Sequence, residues 1–189
     1  MIEQFVIQNS QCTVTIREIA SDNLQAGTYK QILNPERYDS NDFAKVFSIH
    51  IRNGNHDIML AVIGSYMSEL NHCALLEEQV LTLMMNEQFF RIDALNGSVI
   101  DYKVFDILGS NFAIFKTHRG YVVHGEVEIL FLNENLEKAA SFSGRDIFVS
   151  ISGKQAFTLT KDTIQLYDFE DNYYEIDFDG KIIYERKAD

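Results

Sequence analysis

The 189-residue chain reads as mainly β and antiparallel. Three observations predict this. From Phe89 onward the sequence is a succession of short apolar runs separated by turn pairs such as Asn96-Gly97, Arg119-Gly120, Ser143-Gly144, Ser152-Gly153 and Asp179-Gly180. Strand formers are plentiful, with 14 Phe and 9 Tyr against a single Pro, Pro35. Finally, a short pattern recurs along the second half of the chain.

Element by element, residues 4–19 place Cys12, Val14 and Ile16 on one strand face and Thr13, Thr15 and Arg17 on the other. Residues 21–42 are polar and turn-rich and read as a long loop, with a helical turn after Asn34-Pro35, where proline suits a first helical position. Phe43–Arg52 and Asp57–Gly64 are apolar runs joined by Asn53-Gly54-Asn55, a hairpin signal. Tyr66–Met85 fits a helix or two short strands broken at Glu77-Glu78-Gln79, and the strands are preferred because the region repeats downstream in strand form. Beyond it, strands are expected at Phe89–Asp93, Val99–Phe105, Phe112–Lys116, Tyr121–His124, Val127–Leu132, Ile147–Ile151, Ile164–Tyr167, Tyr173–Phe178 and Lys181–Tyr184.

The recurring pattern is an apolar strand ending in Asp or Asn, a turn at Gly, and a returning strand. It occurs at Phe89–Asp93 with Gly97, at Ile129–Asn133 with Gly144 and at Ile164–Asp168 with Gly180. A period near 40 residues with several strands per unit is the arithmetic of a propeller blade, since one four-stranded blade buries its faces only by stacking on others. Phe89-Phe-Arg-Ile-Asp-Ala-Leu-Asn-Gly-Ser-Val-Ile-Asp-Tyr102 resembles the inner hairpin of a blade in quinoprotein-like β-propellers, and Tyr174-Glu-Ile-Asp-Phe-Asp-Gly-Lys-Ile-Ile-Tyr184 is similar. The resemblance implies the blade shape alone. The blade tryptophan of that family has no counterpart in a chain without Trp.

The expected fold is therefore propeller-like antiparallel blades or a meander, open or incomplete, because three units are visible where 189 residues allow four. The alternative is a two-sheet β-sandwich of the same strands. The organisation expected is an N-terminal β segment over 1–60, holding the polar loop 21–42, and propeller-like repeats over 61–189, together one compact unit.

Composition excludes several functions. With 28 acids, 16 bases and a net charge of −12, the chain lacks the basic footprint that nucleic acid or an anionic membrane requires. Cys12 and Cys73 form neither a disulfide framework nor a zinc spacing. The N-terminus lacks a basic region followed by a long apolar one, so a cytoplasmic protein is expected. No Gly-x-Ser-x-Gly, P-loop or Gly-x-Gly-x-x-Gly motif occurs, and nothing calls for a cofactor or metal.

Two constellations remain. His124-Gly-Glu126-Val-Glu128 would align His124, Glu126 and Glu128 on one strand face, a set able to bind a divalent cation or move protons, or else a charged edge strand. Near it, Arg145 and Asp146 read as a turn with a local ion pair or as a binding loop. Residues 162–180 hold seven acids and no Lys or Arg. With its tyrosines, this stretch offers Tyr167, Asp168, Glu170, Asp171 and Tyr173 as a surface for a protein with a basic face, or a solvated edge. Glu175–Gly180 also carries alternating acids before a Gly, but Arg186 stands where a calcium loop needs its bidentate Glu, so a hairpin with a type I′ turn at Asp179-Gly180 is expected. The functional expectation is a non-enzymatic intracellular protein-binding module. The alternatives are a metal-dependent or small-molecule enzyme using His124, Glu126 and Glu128, and a structural subunit of an oligomer.

Overall fold

The computed structural model describes residues 4–25, 27–39, 42–54 and 56–188. The chain is nearly all β and antiparallel. It parts into two compact units, Met1–Phe105 and Asp106–Asp189. The boundary suggested at 60/61 falls inside a strand, His56–Gly64, and the chain divides at 105/106 instead.

The first unit opens with β1 (Gln4–Gln8), β2 (Cys12–Ile19), β3 (Gln31–Leu33), β4 (Lys45–Asn53) and β5 (His56–Gly64), which form one sheet in the order β1-β2-β4-β5-β3. All its pairings are antiparallel except β3 on β5. A second sheet follows as a meander: β6 (Ala74–Glu77), β7 (Val80–Met85), β8 (Gln88–Asp93) and β9 (Val99–Val104). One apolar cluster joins the two sheets, with Val14, Ile16, Ile49, Ile51, Leu60 and Val62 from the first and Leu81, Leu83, Phe90 and Ile92 from the second. The expected faces of β2 are those found: Cys12, Val14 and Ile16 are buried and Arg17 is exposed.

The polar stretch 21–42 is less of a loop than its composition suggests. It holds a 3-10 turn at Ser21–Asn23 and the strand β3. No helix follows Asn34-Pro35. Asn34 instead closes a turn on itself, its side-chain oxygen accepting the Tyr38 N–H at 3.0 Å and its amide donating to the Tyr38 carbonyl at 2.9 Å, the local competition with helix that asparagine offers. Ser40 and Asn41 of this stretch, and Asn55 of the hairpin signal, lie outside the described residues. Tyr66–Met85 forms strands β6 and β7 after a single 3-10 turn, Leu70–His72, and reverses through Glu78, whose φ is 49°.

The second unit is two four-stranded meanders. They are β10 (Asn111–Thr117), β11 (Gly120–Gly125), β12 (Ile129–Leu132) and β13 (Lys138–Phe142), then β14 (Phe157–Leu159), β15 (Ile164–Tyr167), β16 (Tyr173–Ile176) and β17 (Ile182–Arg186). Their common core is aromatic: Phe131, Phe142, Phe148, Phe157 and Tyr174 pack with Val122, Ile129, Ile164, Leu166 and Ile176. Ile147–Ile151, expected as a strand, is not one. Phe148 is a fully buried plug in that core, Ile151 is 72% exposed, and the backbone bonds of this segment go to Glu126 and Phe169 individually rather than to a ladder. Conversely β13 and β14 are absent from the sequence reading, because Lys138-Ala-Ala-Ser carries no β-branched residue and β14 is three residues long.

Three meanders share one device between their third and fourth strands. Asp93 after β8, Asn133 after β12 and Asp177 after β16 each accept the N–H two residues on, at 2.7, 2.9 and 2.9 Å, closing Asx turns. The repeat seen in the sequence is therefore real but slipped in its last copy: β15 is a second strand, and β16 with Asp177 is the true counterpart of β8 and β12. In the last turn only Gly180 has a positive φ, 74°. The turn therefore ends on a left-handed glycine and is not the type I′ expected, which needs two such residues.

Gly120 starts β11 at φ 128°, and a Cβ there would lie 2.2 Å from the Leu132 carbonyl. We expect Gly120→Ala to lose about 3 kcal/mol of stability, from a forbidden φ and a backbone clash. Urea unfolding of the purified variant measures it.

Candidate functional site

The outer face of the β14–β17 sheet is built by alternation. In β15 and β16, Leu166 and Tyr174 turn into the core, so their neighbours Tyr167 and Tyr173 turn outward, directly opposite each other in register. The antiparallel register adds Tyr184 and Arg186 of β17 to the same face. The three phenol rings form a ladder across three strands, with centroids 5.1 Å apart for Tyr167 and Tyr173 and 6.0 Å for Tyr173 and Tyr184. Cations bracket it. Lys154 sits 4.9 Å from the Tyr167 ring centre, and the Arg186 guanidinium 5.8 Å from that of Tyr173, within cation–π range. Burial, with Glu175 beside it, raises the Tyr173 phenol above its ordinary pKa.

Asp168 does not belong to this surface, contrary to the expectation from the sequence. It is 0% exposed. Its carboxylate accepts the Asn172 N–H at 2.9 Å, the Asn172 amide at 3.0 Å and the Tyr174 hydroxyl at 2.9 Å. Tyr174 in turn accepts the Arg145 N–H at 3.0 Å, and the Asn172 side-chain oxygen accepts the Ala188 N–H at 3.0 Å. Burial pushes the Tyr174 phenol up to about 12, a rise eased by the Arg145 N–H and reinforced by Asp168. One buried carboxylate thus ties the β15–β16 turn to the loop before Arg145 and to the chain beyond β17.

The rest of the acidic run is also largely engaged. Asp171 accepts the Ser152 hydroxyl at 2.7 Å and pairs with Lys154 at 3.1 Å, contacts that hold its carboxyl below the usual range. Glu175 accepts the Thr163 hydroxyl at 2.8 Å, Asp177 closes its Asx turn, and Asp179 pairs with Arg119. Glu170 is exposed, as expected.

The second constellation is not brought together. β11 ends at Gly125, where a Cβ would lie 2.4 Å from the Glu128 carbonyl, so the chain turns there and the alternation that would align His124, Glu126 and Glu128 stops. The His124 ring stacks on Phe157 at 4.8 Å, meets the Phe112 edge at 5.2 Å, and places Nε2 3.1 Å from the Phe148 carbonyl oxygen. Glu126 accepts the Ser110 N–H at 3.1 Å and Glu128 pairs with Lys138 at 3.1 Å. Arg145 pairs with Glu185 at 2.9 Å rather than with Asp146, which accepts the N–H of Ile147 at 2.8 Å. Among the described residues, no group of three His, Cys, Asp or Glu side chains could hold a metal ion.

Lys154, Tyr184 and Arg186 were not singled out by sequence reasoning. For Tyr184 and Arg186 the signal is register, since pairing Tyr173 with Arg186 places both on its face; Lys154 lies in the loop before β14, and no strand pattern points to it.

Neither a family model nor a curated relative matches the chain. Among solved structures, BamB from Moraxella catarrhalis, a β-propeller, superposes with a TM-score of 0.44 at 14% identity, covering 58% of this chain and 34% of BamB. The blade description of the present chain rests on its own strand order and register.

Two predictions follow from the buried groups. Asp168→Ala leaves a buried hydroxyl and amide without an acceptor and should cost about 3 kcal/mol, whereas Glu170→Ala should stay within about 0.5 kcal/mol; chemical denaturation separates them. Burial lowers the His124 pKa to about 4 from 6.5, with the Phe148 carbonyl opposing. The unfolded chain then takes up a proton near pH 6.5 that the folded chain refuses until about pH 4. The stability from the neutral ring is full above pH 6.5 and falls between 6.5 and 4, by up to about 3 kcal/mol. Comparing unfolding free energies across that window, His124→Phe should be less pH-dependent than the parent by that amount.

Proposed function

We propose that this chain is a non-enzymatic intracellular module that binds another protein, through the outer face of its β14–β17 sheet. The observation that carries the reading is the ladder of Tyr167, Tyr173 and Tyr184 with Lys154 and Arg186 on its flanks. Tyrosine and arginine are the side chains that dominate interface energetics, and a rigid sheet presents them at little cost in conformational entropy. Tyr184, at the end of the ladder, is 52% exposed, so its ring is available to a partner. An intracellular setting suits two free, buried cysteines, Cys12 and Cys73, and no helix among the described residues is long and apolar enough to cross a membrane.

His124 supports no catalytic reading. A ring stacked between aromatic side chains and neutral at physiological pH is packed as a core residue, and its two neighbouring carboxylates are engaged elsewhere.

Immobilised chain should recover a specific protein from a lysate of its source cells. Double substitution of Tyr167 and Tyr173 by Ala should reduce that recovery about tenfold or more, as loss of interface anchors does, with the β-sheet circular dichroism unchanged. Recovery equal to that of the parent removes this surface from consideration.

A further inference from the structure

The first sheet turns Val14, Ile16, Ile49, Ile51, Leu60 and Val62 into its core, and register names what stands on the opposite face, because cross-strand partners share a face. Gln4, Arg17, Ser48 and Ala61 form one row across β1, β2, β4 and β5, and Val6, Thr15, His50 and Met59 form the next. These two rows frame a cavity of about 220 Å³ lined by Gln4, Thr15, Arg17, Ser48, His50 and Met59, several times the roughly 30 Å³ that one water takes up in the liquid.

The polar groups of this cavity are not used by the fold. Ser48 is 1% exposed, yet among the described residues its hydroxyl has no hydrogen-bond partner, where a buried hydroxyl ordinarily finds one. Arg17 is exposed and reaches no carboxylate among the described residues. The rest of its row is neutral, and the row beyond it is the apolar set Ile19, Val46 and Ile63. Glu18, next in sequence, falls on the other face by alternation and pairs with Lys45 at 2.7 Å. The third row is Gln8, Thr13, Arg52 and Asp57. Asp57 is the one carboxylate among the described strand residues of this face; it stands opposite Arg52, and its Oδ1 lies 2.9 Å from His50 Nε2.

From this arrangement we infer that the cavity binds a small organic monocarboxylate. The Arg17 guanidinium takes the carboxylate on its fork of N–H donors, the Ser48 and Thr15 hydroxyls and the Gln4 amide supply further donors, and Met59 lines the place of a short alkyl chain. One uncommitted cation in the cavity matches one negative charge. A phosphate monoester, close to −2 at neutral pH, would be left with charge unmet, and a cationic ligand would face Arg17. The inference is independent of the protein-binding reading, whose surface belongs to the second unit.

The test titrates the isotope-labelled full chain with sodium butyrate at constant ionic strength and follows the backbone amide resonances. Butyrate should shift the Thr15, Arg17 and Ser48 amides saturably, and butylammonium or sodium chloride should not. Arg17→Gln should weaken butyrate about tenfold or more, as loss of a charge-assisted fork does. Its melting temperature should equal that of the parent, because Arg17 makes no ion pair or side-chain hydrogen bond among the described residues. Ser48→Ala should weaken butyrate about fivefold. Arg52→Gln, on the same face but outside the cavity lining, should stay within about twofold of the parent, since its charge acts only at a distance. Equal shifts with chloride or butylammonium overturn the inference, as does undiminished affinity in Arg17→Gln or Ser48→Ala. A loss in Arg52→Gln as large as that in Arg17→Gln overturns it too, by showing a diffuse attraction rather than a site. Inorganic phosphate binding about tenfold more tightly than butyrate overturns the monocarboxylate assignment.

Discussion

The second unit depends on a buried carboxylate whose acceptor capacity is filled. Asp168 lies out of water at the end of β15, where an unmet carboxylate would be costly, and three donors from Asn172 and Tyr174 converge on it. Each donor fixes something else. The Asn172 N–H sets the β15–β16 turn, the Asn172 amide turns its own oxygen to the chain at Ala188, and the Tyr174 hydroxyl holds the loop before Arg145. The two outward tyrosines of the candidate surface, Tyr167 and Tyr173, are chain neighbours of these residues. Their rings keep a defined spacing because the groups beside them, pointing the other way, have no freedom to move.

The same acceptor chemistry explains where several of the acidic and amide side chains stand. Asp93, Asn133 and Asp177 close turns on backbone N–H groups, Asp168 is buried, and Asp171 and Asp179 take up Lys154 and Arg119. In a chain of many short strands, every reversal leaves backbone donors to satisfy, and Asp and Asn satisfy them locally. Part of the chain's Asp and Asn content is thus a consequence of topology.

Legibility followed the range of the interaction. Strand faces and hairpins set by local alternation, such as Cys12-Val14-Ile16 in β2 and the turn before Gly97, are plain in the sequence, whereas 66–85 fits helix and strands alike and is tipped to strands only by its likeness to the segments downstream. Tyr167 and Tyr173 are surface candidates for a different reason, the mixture of tyrosines and acids in 162–180. Asp168 was misplaced because its burial depends on Tyr174 and on a loop more than twenty residues upstream, contacts that no spacing rule encodes. His124 was misplaced because alternation ends where Gly125 lets the backbone approach Glu128. β3, β13 and β14 went unseen because edge strands of three to five residues need little apolar surface and so carry little pattern.

Gly125 and Phe148 together show how a site-like sequence becomes a structural one. The glycine permits a turn so close that a side chain there would strike the Glu128 carbonyl, and the turn directs Glu126 toward Ser110 and Glu128 toward Lys138. The Glu126 carbonyl then accepts the N–H of Phe148, whose ring plugs the aromatic core and whose own carbonyl meets His124. The histidine is left with the Phe148 carbonyl as its hydrogen-bonding neighbour, aromatic rings on two sides and a largely buried position, conditions that favour the neutral ring. An ionisable cluster in sequence thereby serves as the seam between two sheets.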